Sequence, residues 1–240
     1  MPYAAPQPEI GQFWMKLQEN VGGTIPKVRI HYIPHFCNHC EKAVCIEVCR
    51  SNAAIYRRED GIVIIDPEKC NGCGRCLNAC PYDVIFKNEE LNICQKCTGC
   101  AHLLDNGYSL PRCVEACPTD ALVFGEDADM QNFIFGATVR KPETGQRPRV
   151  FYRNIPGKFI AGTVYDPVEK EVVIGARCRA TIGGKTIEVI SDEYGDFWFN
   201  DLPIGKFDIV IEANGYEYTT IKNVDTVLDN NLGDIPLRLI

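Results

Sequence analysis

The run Cys70-Asn-Gly-Cys73-Gly-Arg-Cys76-Leu-Asn-Ala-Cys80-Pro81 decides how this chain is read. Three cysteines stand two residues apart, a fourth follows after three more, and a proline closes the run. Gly72 and Gly74 permit the tight loop that lets three thiolates converge on one inorganic centre, with backbone N–H groups free to point at sulfur. The fourth cysteine belongs to a helix turned away from that centre, so it ligates a neighbouring one. This is the spacing of a [4Fe–4S] binder. Structural zinc is the rival reading, and four cysteines at these spacings followed by proline leave it far behind.

A motif whose last cysteine serves another centre needs a partner, and one lies upstream. Cys37-Asn-His-Cys40-Glu-Lys-Ala-Val-Cys45-Ile-Glu-Val-Cys49 has the spacing C-x2-C-x4-C-x3-C. Applying the crossing, cluster one takes Cys37, Cys40, Cys45 and Cys80, and cluster two takes Cys70, Cys73, Cys76 and Cys49. A third block follows: Cys97-Thr-Gly-Cys100, then Cys113-Val-Glu-Ala-Cys117-Pro118, which repeats the Cys-x3-Cys-Pro ending. By the same logic Cys97, Cys100 and Cys113 bind a third cluster with its fourth ligand unidentified. Cys117 reaches for a fourth cluster or completes the third. A partner motif is expected before residue 37, yet residues 1–36 contain no cysteine. Cys94 stands three residues before Cys97, either as the substitute fourth ligand or as a buried thiol. His39 and His102 sit beside ligands, where hydrogen bonding or packing is favoured over ligation. Cys178 stands alone and reads as a small core residue.

Composition supports the metal reading over disulfides. Thirteen of the fourteen cysteines fall between Cys37 and Cys117. Staples would be spread to suit a fold, and a 240-residue chain that is 45% hydrophobic is no disulfide-held mini-protein. The net charge of −7 is uneven: residues 1–157 carry 17 basic against 18 acidic groups, and residues 158–240 carry 8 against 14. No basic stripe exists for nucleic acid, and no stretch approaches the ~20 apolar residues of a membrane span. The first residues lack the basic start and apolar core of a signal peptide. A cytoplasmic location is expected, unless a partner carrying a signal exports the loaded subunit.

The chain is expected to divide into an N-terminal arm (1–36), a ferredoxin-like iron–sulfur domain (37–135), a connector (136–158) and a β-sandwich (159–240). In the arm, Val28, Ile30 and Tyr32 alternate with polar residues as one strand, ended by Pro34. Two β-rich runs around Asp60-Gly61 predict a tight hairpin, and a short helix is expected over Asp127–Phe135 with Asp127 as its cap. Residues 136–158 are rich in Pro, Gly and Arg. From Phe159 onward, short alternating runs separated by Gly183-Gly184, Asn214-Gly215 and Asn230-Asn231 predict about seven antiparallel strands. The fold class expected is α+β: a bacterial-ferredoxin-like double [4Fe–4S] motif domain, then a small all-β sandwich of the immunoglobulin/transthyretin-like kind. The sandwich holds no nucleophile–base pair or ligand cluster and reads as a docking module. Trp198, opposite Phe197 and Phe199 in the alternation, is its expected anchor for a neighbour.

The blocks CNHCEKAVCIEVC, CNGCGRCLNACPYDV and CTGCAHLL…PRCVEACPTDAL resemble the iron–sulfur subunits of the dimethyl-sulfoxide-reductase family of molybdenum and tungsten enzymes, over roughly residues 10–155. One branch also has a sandwich tail: the small (beta) subunits of pyrogallol–phloroglucinol transhydroxylase and of resorcinol hydroxylases. Similarity to it includes Ala53 and Ile55 through Val63, Gln95 through Asp105, and Tyr194-Gly195-Asp196-Phe197. The resemblance implies a large partner carrying a molybdopterin cofactor with Mo or W, and phenolic rings that are hydroxylated, transhydroxylated or dehydroxylated. This chain would pass electrons and perform no bond chemistry. It departs from the family in lacking the first cysteine motif, so an internal methionine of a longer natural chain is expected at Met1. A free-standing polyferredoxin shuttle, or the electron subunit of a respiratory molybdopterin reductase, are the other readings.

Overall fold

Ile62, Val63, Ile64 and Ile65 are all buried, yet they serve two different cores. Val63 and Ile65 pack with Ala43, Ile55, Cys76, Ile85 and Cys94, whereas Ile62 and Ile64 pack with Ala101, Tyr56 and Leu104. The period of two along a strand explains the division. These four residues form the centre of the first unit in the computed structural model, which describes residues 3–9, 12–51 and 53–240. The expectation about Met1 lies outside the described residues.

The chain divides into two units, one made of residues 1–18 and 34–154, the other of residues 19–33 and 155–240. An antiparallel ribbon of β1 (Met15–Thr24) and β2 (Lys27–Phe36) contributes to both. The expected single strand ending at Pro34 is therefore corrected. The strand runs through Pro34, because in a two-stranded ribbon alternate N–H groups face away from the partner and proline loses nothing there.

In the first unit, α1 (Val44–Glu47) is followed by a hairpin of β3 (Ile55–Arg57) and β4 (Val63–Ile65), paired Ile55 to Ile65 and Arg57 to Val63. Its turn is the one expected around Asp60-Gly61. Gly61 has φ +81°, and the Asp60 carboxylate accepts the Ile62 N–H at 3.0 Å. The pattern repeats as α2 (Arg75–Ala79) and a second hairpin of β5 (Phe86–Asn88) and β6 (Ile93–Gln95). The two short helices pack together. Buried Asn88 and Gln95 on the second hairpin bind each other at 3.1 Å and fasten the N-terminal stretch through the carbonyls of Ala5 and Pro6. Then come α3 (Ala101–Leu104), α4 (Arg112–Glu115) and α5 (Gln131–Ile134). The last is shorter than expected, and Asp127 does not cap it. The Asp127 carboxylate pairs with Arg149 at 3.1 Å instead.

Residues 136–154, expected as part of a connector, belong to the first unit. Their backbone runs beside the first cysteine loop: Glu41 N–H donates to Arg147 O, Lys42 N–H to Gln146 O, and Arg149 N–H to Asn38 O, at 2.8–3.0 Å. The Gln146 side chain accepts the Val44 N–H, satisfying a donor at the start of α1. Composition alone suggested a linker. The paired backbone makes it a strap.

The second unit is a two-layer sandwich of β7 (Lys158–Asp166), β8 (Glu171–Val172), β9 (Arg177–Ile182), β10 (Lys185–Ile190), β11 (Asp196–Leu202), β12 (Lys206–Glu212), β13 (Thr219–Asp225) and β14 (Asn230–Pro236). One sheet has the order β10-β9-β12-β13. The other is β11-β7-β14 with β8 at the end of β7, and β14 lies parallel to β7. Phe197, Phe199, Phe207, Ile209, Ile211 and Cys178 fill the core between the sheets. Trp198 points to the opposite face, as alternation required, but that face is not free. Its ring packs on Phe159 with centroids 5.1 Å apart, and Lys27 from the ribbon tip reaches over it while pairing with Asp196 at 2.5 Å. Arg29 stacks on Phe159 and bonds the carbonyl of Gly157. The expected docking anchor is thus covered by the chain's own residues 19–33.

Candidate metal centre

Each Cys-x-x-Cys loop is built alike. The residue before the second cysteine takes a left-handed backbone: His39 with φ +44°, Gly72 with φ +69°, Gly99 with φ +61°. In each loop the N–H of this bent residue points back at the first sulfur. The His39 N–H reaches Cys37 Sγ at 3.5 Å, and the Gly99 N–H reaches Cys97 Sγ at 3.4 Å. The Gly72 N–H likewise donates to Cys70 sulfur. A Cβ on Gly72 would lie 2.2 Å from the Asn92 carbonyl oxygen, so close backbone approach demands glycine there.

Cys37, Cys40 and Cys45 line one cavity, and the fourth sulfur in its wall is that of Cys80, carried in from the end of α2. Burial pushes the Cys40 thiol up to about 12, with Cys37, Cys45 and Cys80 adding to the effect, and pushes Cys45 up to about 11. Such a set becomes four thiolates only around cationic metal. His39 lines the same cavity. Burial holds its imidazole neutral, and the positive charge of Lys96 acts in the same direction. Its Nδ1 accepts the Val63 N–H at 3.0 Å, which leaves the proton on Nε2, a buried donor without a partner among the described residues. An engaged Nδ1 and a protonated Nε2 leave this ring as a hydrogen-bond donor in the cavity wall and not as a ligand.

Of the second set, Cys70 and Cys76 lie within electrostatic reach of each other, and Cys49 packs at the same core. Cys73 is exposed. Between them sits Cys94, which sequence reasoning weighed as a substitute ligand for the third block. Strand β6 carries it elsewhere. It is 2% exposed, its N–H donates to Cys70 Sγ at 3.3 Å, and its thiol lies against those of Cys76 and Cys70. The contact with Cys76 draws the Cys94 thiol down to about 6 and pushes Cys76 up.

The third set is also gathered. Burial pushes Cys97 up to about 12, with Cys37 and Cys113 within reach, and raises Cys113, which feels Cys100 and Cys117. Cys117 differs. The Thr119 N–H and hydroxyl and the N–H groups of Leu122 and Ala121 surround its sulfur and bring it down to about 7. His102 lies on α3, one turn before Asn106, whose side chain caps its carbonyl at 2.6 Å. Cys178 is a fully buried core thiol, pushed up to about 12 by burial.

All-thiolate ligand sets, N–H groups aimed at the sulfurs and an orphaned buried donor beside them fit sulfur-bridged iron, and they define an iron–sulfur electron-transfer protein. The 4Fe-4S dicluster domain family matches residues 28–127, and the carboxypeptidase regulatory-like domain family matches residues 160–237. The chain is 38% identical over 228 residues to the pyrogallol hydroxytransferase small subunit of Pelobacter acidigallici, covering 90% of this chain and 81% of that protein. It is 40% identical over 136 residues to a tetrathionate reductase subunit of Salmonella typhimurium, covering 53% of this chain and 54% of that one. With the beta chain of perchlorate reductase from Dechloromonas aromatica it shares 35% over 156 residues, covering 62% and 46%. The chain therefore belongs to the family of the pyrogallol hydroxytransferase small subunit, within the iron–sulfur subunits of this wider group. It is an electron-transfer subunit that carries [4Fe–4S] clusters.

Proposed function

We propose that this chain serves a large molybdopterin-containing subunit that acts on phenolic rings, moving electrons to or from its active site. The observation that carries this reading is the extent of similarity. The likeness to the pyrogallol hydroxytransferase small subunit covers 90% of the chain and so runs through both units, whereas that to the tetrathionate reductase subunit covers 53%. A free-standing shuttle, or the electron subunit of a respiratory reductase, has no need of the sandwich. The two layers, with β14 parallel to β7, support an immunoglobulin/transthyretin-like class for that unit.

Cluster one is assigned to Cys37, Cys40, Cys45 and Cys80, which share a cavity. Cluster two is assigned to Cys70, Cys73, Cys76 and Cys49. Cys97, Cys100 and Cys113 hold the third, and Cys117 either closes it or reaches a fourth. When bound, [4Fe–4S] clusters supply one-electron redox chemistry with little structural change. The chain's own residues supply the thiolates, aim the N–H groups of His39, Gly72, Gly99 and Cys94 at sulfur, and keep water from Cys37 and Cys76. Hydrogen bonding and burial of this kind set the potentials.

Among the described residues no helix is long and apolar enough to cross a membrane, and we place the complex in the cytoplasm. Anaerobic purification of the tagged chain with the genes that flank it tests the reading. A molybdopterin-bearing large subunit should co-elute, and the pair should convert a polyhydroxylated benzene. A lone loaded chain that reduces several unrelated enzymes would overturn it, as would a complex active only on an inorganic oxyanion.

A further inference from the structure

Lys96 is 2% exposed, which is rare for lysine, and among the described residues no carboxylate pairs with it. Its ammonium is held instead by two backbone carbonyls: that of Val63 and, at 3.0 Å, that of Cys97. Both carbonyls belong to the metal sites. Val63 lines the cavity of Cys37, Cys40, Cys45 and Cys80, and its own N–H is bound by the cavity-lining His39. Cys97 is the first sulfur of the third set. Val63 is thus pinned on one side by the imidazole and on the other by the ammonium. The Lys96 charge is felt at Cys45, at Cys97 and at His39, and both carbonyls that hold its ammonium belong to the first and third sites.

A buried cation needs compensating negative charge nearby. Among the described residues no carboxylate pairs with Lys96, and the thiolates of the two loaded sites supply negative charge beside it. Each such site is net anionic, and each electron it accepts makes it more so. A fixed positive charge between two sites stabilises the reduced form of both.

Resting on the ligand assignment above, we infer that Lys96 is a shared internal countercharge set between the first and third clusters, which raises the reduction potential of both and keeps them matched for electron exchange. It is a positioning residue. It touches no substrate and ligates no iron, and its two carbonyl contacts lie at the first and third sites and not at the second.

The test uses the intact complex with Lys96→Met, and Lys96→Gln as the variant that keeps a donor for the two carbonyls. EPR-monitored redox titration reads each cluster, and iron analysis counts them. The expected result is unchanged iron content and a downward shift in the midpoint potentials of clusters one and three that exceeds any shift of cluster two. Unmoved potentials in both variants overturn the inference, as does an equal shift in all three clusters. If both variants lose clusters one and three, Lys96 is a folding element and the inference also fails. Cys45→Ser and Cys97→Ser in parallel separate this from failure of the ligand assignment: they should alter two different clusters, and if they alter the same one the assignment itself is wrong.

Discussion

The backbone N–H of Cys94 donates to the sulfur of Cys70 at 3.3 Å, and the Cys94 thiol rests against Cys70 and Cys76. Cys94→Ala keeps the N–H and removes only the thiol. Iron content should not change, because Cys94 is a neighbour of the second set and not a ligand. With Cys70 and Cys76 bound to metal as thiolates, the Cys94 thiol keeps its proton and becomes the donor, so losing it costs roughly 0.5 kcal/mol, or about 20 mV for one electron, and lowers the potential of that cluster. A loss of one cluster's iron would make Cys94 a ligand after all.

Cys80→Ser should perturb the EPR signal of the cluster held by Cys37, Cys40 and Cys45, while Cys49→Ser should perturb the one held by Cys70, Cys73 and Cys76. The cavity lined by Cys80 together with the first loop is the reason. Perturbation confined to the Cys70 set in the Cys80 variant would show uncrossed ligation.

Gly72 and Gly74 both have positive φ, but only Gly72 is crowded. Gly74→Ala should cost only the left-handed backbone penalty of roughly 1–2 kcal/mol, with clusters retained. Gly72→Ala adds a clash with the Asn92 backbone and should empty the second site. Iron per chain, measured on both variants, distinguishes the two outcomes.

Trp198 is half-buried against Phe159 and Lys27. Trp198→Ala should destabilise the second unit by about 2 kcal/mol and make residues 19–33 more open to protease. Co-purification with the large subunit should be unaffected. Normal stability with weakened association would restore the docking role expected from the sequence. Deleting 159–240 is a poorer experiment, since it strips the ribbon tip of its support.

Asp166 accepts the N–H groups of Val168 and Glu169 at 2.8 and 3.2 Å and the Tyr216 hydroxyl at 3.1 Å, and the two backbone donors hold its carboxyl below the usual 3.8. A folded-state value below the unfolded one means that this contribution is fully present above about pH 4. It is lost as pH falls through the lower, folded value. Hydrogen exchange at the Val168 and Glu169 amides should therefore gain openness only in that acid window. Asp166→Asn should abolish the pH step.

The cysteine chemistry was legible because ligand spacing is written along the chain, and the hairpin at Asp60-Gly61 was legible because one turn chemistry serves it. What stayed hidden depends on partners distant in sequence. Pro34 reads as a strand end until its place in a two-stranded ribbon is known. Residues 136–154 read as a linker because nothing local shows that Glu41, Lys42 and Asn38 take up their backbone groups. Trp198 looks available because Lys27 lies 171 positions upstream. Lys96, beside Cys97, resembles any solvated lysine. Only the placement of the Val63 carbonyl makes it a buried charge.

The ribbon tip also sets an order of events during synthesis. Residues 19–33 emerge early, yet their contacts are with Asn231, which bonds the Thr24 carbonyl 207 positions away, and with Asp229, which pairs with Arg29. At a translation rate of about 5–20 residues per second, the tip waits roughly 10–40 s for those partners. Every cysteine from Cys37 to Cys117 has left the ribosome long before then. The iron–sulfur unit can thus be loaded while Val21 and Ile25, still exposed in the finished structure, hang from its ribbon as an unfinished edge.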